Sequence, residues 1–143
     1  MIAVRSWLCL DIIQAGRRHQ RWANFGRHPP YAQSEDCLTL SVWTPAPETA
    51  LRAVFVWVHG GAFNHGSGAW PCYSGDVLVR RGDIVVVVIN YRLGALGYLQ
   101  LPGDDGKAVA PANRGLLDQM KALRWVQENF GAFGAASPSN FQS

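Results

Sequence analysis

The sequence predicts an α/β fold: a mostly parallel sheet with flanking helices. Two unbroken apolar runs, Ala53–Val58 and Ile84–Ile89, show no alternation, the pattern of strands buried on both faces. A short helical stretch separates them and a long amphipathic one follows. That order builds a parallel sheet through crossovers.

The elements follow in chain order. Leu38–Trp43 alternates as Leu-Thr-Leu-Ser-Val-Trp, a half-buried strand, and Thr44-Pro45-Ala46-Pro47 ends it because proline cannot extend a ladder. Ala53–Val58 runs straight into His59-Gly60-Gly61. Ser74–Arg81 reads as a helix capped by Ser74, with Asp76 in its first turn, Arg80 and Arg81 in its last, and Gly82 to stop it. Ile84–Ile89 is bounded by Gly82-Asp83 and Asn90. The loop Leu101–Ala112 is rich in Gly, Asp and Pro, and Asn113 opens the long helix. There Leu116, Met120, Leu123 and Phe130, with Leu117 and Val126, form an apolar stripe expected to face the sheet. Asp118, Lys121, Arg124 and Glu128 are expected on the exposed side. No internal repeat is visible.

With 143 residues, 48% of them hydrophobic and 16% charged, the composition is that of one folded domain and excludes disorder. No run of 18 apolar residues exists, which excludes a membrane-spanning helix. The net charge of +3 is unevenly spread. Residues 1–33 hold five arginines (Arg5, Arg17, Arg18, Arg21, Arg27) against Asp11, whereas the remaining 110 hold eight basic and nine acidic residues. This basic leader carries Trp7, Trp22, Phe25 and Tyr31 but no recognisable module or periodicity, so the expectation is a solvated or poorly ordered segment without a nucleic-acid partner. Its apolar stretch Trp7–Leu10 is cut short by Asp11, unlike an export signal, and the compartment stays open. Cys9, Cys37 and Cys72 are too few for a disulfide scaffold and lack metal-ligand spacing.

The chemistry-bearing motif is Val58-His59-Gly60-Gly61-Ala62-Phe63, placed directly after a strand. Glycines there let the chain turn sharply and let a ligand approach the amides. Backbone N–H groups presented together stabilise an oxyanion by about 3–4 kcal/mol per donor. A bare Gly-Gly reads first as an ordinary strand-to-loop turn; the His-Gly-Gly-X-Phe context after a strand reverses that, because it resembles the oxyanion loop of lipases and esterases.

Four blocks make the resemblance specific. Ser34-Glu35-Asp36-Cys37-Leu38 with Leu40-Ser41-Val42-Trp43-Thr44-Pro45, Val56–Phe63, Asn90-Tyr91-Arg92-Leu93-Gly94-Ala95-Leu96-Gly97-Tyr98-Leu99, and Asn113–Gln119 with Ala122–Val126 resemble, in order, the blocks of type B carboxylesterases, the cholinesterase-like α/β-hydrolases. The resemblance covers residues 34–134, leaving the leader 1–33 and the tail 135–143 without a match. It implies a partial α/β-hydrolase fold, truncated before the nucleophile elbow, and a serine esterase that acts on carboxylic esters through an acyl-enzyme. No cofactor or metal is implied, and the partner is a small-molecule ester in the full-length parent.

Carried onto this sequence, the family's oxyanion donors fall on the amides of Gly61 and Ala62, within the loop that also holds His59 and Gly60. Alanine in place of a third glycine keeps its N–H. The family's arginine–aspartate pair falls on Arg92 and Asp118. Cys37 occupies a position bridged to an upstream cysteine in many relatives. Cys9 lies 28 residues earlier, but its surroundings do not resemble the family, so bridge and free thiol both stay open; Cys72 is expected to be a free or buried thiol.

The departures are equally specific. No G-x-S-x-G occurs anywhere; Ser67 and Ser74 lack the flanking pattern, and neither His59 nor His65 aligns with the family's triad histidine. The expectation is an N-terminal portion that carries the oxyanion donors without nucleophile, acid or base, is inactive alone, and is prone to self-association through an open sheet edge. A non-catalytic scaffold or adhesion domain of the same fold, and a truncated or frame-shifted product, remain the alternatives.

Overall fold

A computed structural model describes residues 8–9, 33–34, 36–45 and 52–135. Most of the basic leader and residues 136–143 lie outside it. A two-residue strand β1 (Leu8–Cys9) pairs in parallel with β2 (Gln33–Ser34). Among the described residues the main sheet has three strands, β3 (Leu40–Trp43), β4 (Val54–Val58) and β5 (Val85–Ile89), in the order β3-β5-β4.

β5 is central because it is valine and isoleucine throughout. All five of its side chains are buried, and each such burial contributes about 1.5–3 kcal/mol. Val54 to Val58 lie in parallel register with Val85 to Ile89. β3 runs antiparallel, with Leu40 opposite Ile89 and Trp43 opposite Val86. The described sheet therefore has one parallel and one antiparallel pairing. The strand at 38–43 starts two residues later than its alternation suggests, and Leu38 is exposed.

Helix α1 (Asp76–Gly82) covers one face through Val79, which packs on Val86 and Val88. Its cap differs from expectation. Gly75 is the N-cap and no side chain caps the helix, because a Cβ at 75 would lie 2.8 Å from the Val86 side chain and only glycine lets the chain enter this close to the sheet. Asp83, in the left-handed region at φ 48°, ends it instead of Gly82. Asp76 and Arg80 form an ion pair one turn apart.

A short helix α2 (Gly94–Tyr98) follows β5, and on the opposite face lies α3 (Arg114–Glu128). Its buried residues are Gly115, Asp118 and Val126, with Ala122 half-buried between them. This corrects the stripe read from the sequence: Leu116, Leu117, Met120 and Leu123 are exposed, and Asp118 is buried. The physical reason is close approach. A face of glycine, aspartate, alanine and valine seats the helix against the segment after β5, and the bulkier side chains point away. The side chain of Phe130 lies outside the described residues.

β4 also departs from expectation. Val54 and Val56 join the core beneath α3, but Phe55 and Trp57 on the other face are 41% and 37% exposed. The apolar run there reflects one buried and one open face. Their rings continue into Tyr73, with Trp57 and Tyr73 centroids 5.4 Å apart. Among the described residues the outer edge of β4 is met only by a parallel bridge between Arg52 and Ala135. No helix among these residues is long and apolar enough to cross a membrane.

Candidate functional site

β4 and β5 are parallel and end level, with Val58 opposite Ile89. The chain leaving each strand therefore emerges side by side at one end of the sheet, where α/β proteins build their sites. From β4 come His59–His65; from β5 come Asn90, Tyr91 and Arg92.

These three residues each fasten a different element. The Asn90 carboxamide oxygen accepts from the Gly68 N–H at 2.8 Å, and its nitrogen donates to Thr39 Oγ1 at 3.2 Å. The Tyr91 hydroxyl donates to the His59 carbonyl oxygen at 2.8 Å, while the two rings stack with centroids 4.7 Å apart. Arg92 donates through Nε and Nη2 to the two Asp118 oxygens, both at 2.7 Å, and through its own N–H at 3.1 Å. Hydrogen bonding to Asp118 pushes the Arg92 guanidinium further above its ordinary value. Burial raises the Tyr91 hydroxyl as well, so it stays a proton donor through the neutral range.

The loop after β4 carries three consecutive positive φ angles: Gly61 at 133°, Ala62 at 52° and Phe63 at 62°. At Gly61 any Cβ would sit 1.8 Å from the His65 carbonyl oxygen, so glycine is obligatory there. Ala62 costs about 1–2 kcal/mol of backbone strain that glycine would not. Retention of that strain needs anchors on both sides. The loop has them: the Phe63 carbonyl accepts from the Gly94 N–H at 2.6 Å, the Phe63 ring packs on Tyr98 at 4.9 Å, and the Asn64 N–H closes back on the Gly61 carbonyl at 3.0 Å.

The residues singled out in the sequence fall in two groups. His59, Gly60, Gly61 and Ala62 lie in this loop, with His59 only 2% exposed and its Nδ1 3.0 Å from the Gly60 carbonyl oxygen. Among the described residues neither the Gly61 nor the Ala62 N–H donates to a protein acceptor. Adjacent, unengaged N–H groups on a braced backbone can donate to an oxygen on which negative charge develops. Arg92 and Asp118 are brought together in an ion pair that joins the segment after β5 to α3. Cys37 is buried beside Tyr91 and Leu93 and is disulfide-bonded; Cys72 is free and exposed. The side chain of Cys9 lies outside the described residues.

Ser67, fully buried, accepts from the Ala69 N–H at 3.0 Å and lies 3.5 Å from the Asn90 carboxamide oxygen, which makes it a turn residue. Among the described residues no group of three or more His, Cys, Asp or Glu could hold a metal ion. Reading by motif left the roles of Asn90 and Tyr91 unassigned, as well as helix α2 (Gly94–Tyr98), which supplies Gly94 and Tyr98. Their signal in the sequence was membership of the third motif block, immediately after the most apolar strand, which marks the segment without saying what each side chain holds.

Comparison with known proteins gives a consistent set of likenesses. A family model described as the carboxylesterase family matches residues 8–139. A cholinesterase of Mus musculus is 50% identical over 101 residues, which span 71% of this chain and 16% of the mouse protein. A probable N-octanoylanthranilate hydrolase, AqdA2, of Rhodococcus erythropolis is 53% identical over 103 residues, 71% of this chain and 22% of that protein. Among solved structures, the Geobacillus stearothermophilus carboxylesterase EST55 superposes with a TM-score of 0.69 at 50% identity, covering 76% of this chain and 23% of its own. The chain thus spans less than a quarter of the length of these relatives.

Proposed function

The chain belongs to the carboxylesterase family and carries part of an α/β-hydrolase fold, and from that premise we propose that it supplies the oxyanion hole of a serine esterase acting on carboxylic esters. One observation carries this reading. The Gly61 and Ala62 N–H groups are unengaged and sit in a strained, doubly anchored loop at the carboxyl end of a parallel strand pair.

In the reaction, a serine hydroxyl from outside these residues adds to the ester carbonyl carbon while a base takes its proton. The carbonyl π electrons move onto oxygen, and the resulting oxyanion accepts hydrogen bonds from Gly61 and Ala62. Collapse expels the alcohol, which takes up a proton, and leaves an acyl-serine that water then opens through a second oxyanion held by the same two donors. The ground-state carbonyl carries less charge, so the donors bind the transition state more strongly than the substrate.

The 143 residues contain no G-x-S-x-G sequence, and Ser67 is buried in a turn. A polypeptide of these residues alone is therefore expected to hydrolyse p-nitrophenyl butyrate at the background rate. Turnover that survives rigorous purification and disappears in Gly61→Pro would overturn this division of labour.

A further inference from the structure

We propose that His59 holds its ring proton on Nδ1, donates it to the Gly60 carbonyl oxygen, and so acts as a positioning residue for the Gly61 N–H. Three observations carry the assignment. The Nδ1 to Gly60 oxygen distance is 3.0 Å. A carbonyl oxygen has lone pairs and no proton, so this approach is attractive only when the nitrogen bears the hydrogen; a bare Nδ1 would set lone pair against lone pair. Next, the ring is fixed from one side: it stacks on Tyr91 at an interplanar angle of 21°, and the His59 carbonyl is held by the Tyr91 hydroxyl.

The third observation is Gly66, at φ 121°. A Cβ there would lie 2.6 Å from Nδ1 and 2.6 Å from the Gly60 oxygen. The buried backbone of residue 66 therefore covers this very contact and shields it from water, and only glycine can do so without wedging it apart. Gly60 C=O and Gly61 N–H are the two ends of one peptide group. A hydrogen bond accepted at the oxygen draws electron density from the nitrogen and makes the N–H a stronger donor, a cooperative gain of roughly 10–30% per bond. It also fixes the peptide plane, and with it the direction in which the Gly61 hydrogen points.

The catalytic meaning of this contact rests on the oxyanion reading above, but its test does not. Long-range nitrogen–proton NMR on the 143-residue chain reads the two ring nitrogens of His59 directly, with no ester present. The expected spectrum shows a protonated Nδ1 and a bare Nε2 near neutral pH. The Gly61 amide proton is expected to move upfield in His59→Gln, which carries its donor at the wrong reach. It should hold its position in His59→Asn, whose amide nitrogen falls near the place of Nδ1. A proton found on Nε2 with Nδ1 bare overturns the proposal, as does a Gly61 amide shift that is the same in wild type and His59→Gln. The wild-type spectrum decides even where a variant fails to fold. Failure of esterase activity elsewhere would leave a protonated Nδ1 standing.

Discussion

Replacing Asp118 with alanine is expected to lower the free energy of unfolding by about 2–3 kcal/mol. The Asp118 side chain is only 6% exposed and receives three donors from one residue, the Arg92 Nε, Nη2 and N–H. Removing one partner of a fully buried pair costs roughly 3–5 kcal/mol. The Arg92 side chain is 34% exposed, so water takes over part of its solvation and the loss falls below that range. The consequence travels further than the pair. Arg92 follows directly on Tyr91 and lies two residues before Gly94, the two residues that hold the loop at His59 and Phe63. Urea unfolding followed by tryptophan fluorescence measures the change; a loss below about 1 kcal/mol would mean that the pair behaves as a surface ion pair.

Gly115→Ala is expected to destabilise by about 2–3 kcal/mol, against the direction of helix propensity. Alanine is ordinarily better than glycine inside a helix by about 1 kcal/mol. Here its methyl group would lie 2.5 Å from the Arg92 carbonyl oxygen and 2.6 Å from the Tyr98 hydroxyl. A backbone oxygen cannot rotate away as a side chain can. Nor can the carbonyl retreat towards α2, since a Cβ at Gly97 would already be 2.2 Å from the same oxygen. Helix α3 must therefore move, and Asp118 lies on the same face three residues on, so the shift strains the ion pair too. Thermal unfolding separates the two effects: a lower melting temperature follows from the clash, and a higher one would show that propensity alone governs the site.

These two positions also mark how far the sequence could be read. The strands at 54–58 and 85–89 and the helix after Asn113 were legible because apolar runs and helical periodicity record burial and period directly. The four motif blocks were enough to point to the family. Which face of α3 turns inward was not legible. Periodicity ranks faces by hydrophobicity, and Leu116, Met120 and Leu123 outweigh Gly115, Asp118 and Ala122 on that measure. Close packing against the Arg92 carbonyl reverses the order. The open face of β4 was hidden for a related reason, since Phe55 and Trp57 read as core whether or not anything covers them. At the site, the assignment of Gly61 and Ala62 came with the family likeness, whereas the bracing by Tyr91, Gly94 and Gly66 depends on contacts between segments far apart in sequence.

Oxyanion stabilisation by the Gly61 and Ala62 N–H groups can be measured in a chimera, with the matched segment of the Geobacillus stearothermophilus carboxylesterase exchanged for that of this chain. Lactate in place of Ala62 turns one backbone amide into an ester, removing the N–H while leaving the methyl group and the loop in place. The chimera is expected to hydrolyse p-nitrophenyl butyrate, and the replacement to lower kcat by about 10²–10³-fold, the cost of one oxyanion donor, with KM little changed. An unaltered kcat after the amide is removed would contradict the account.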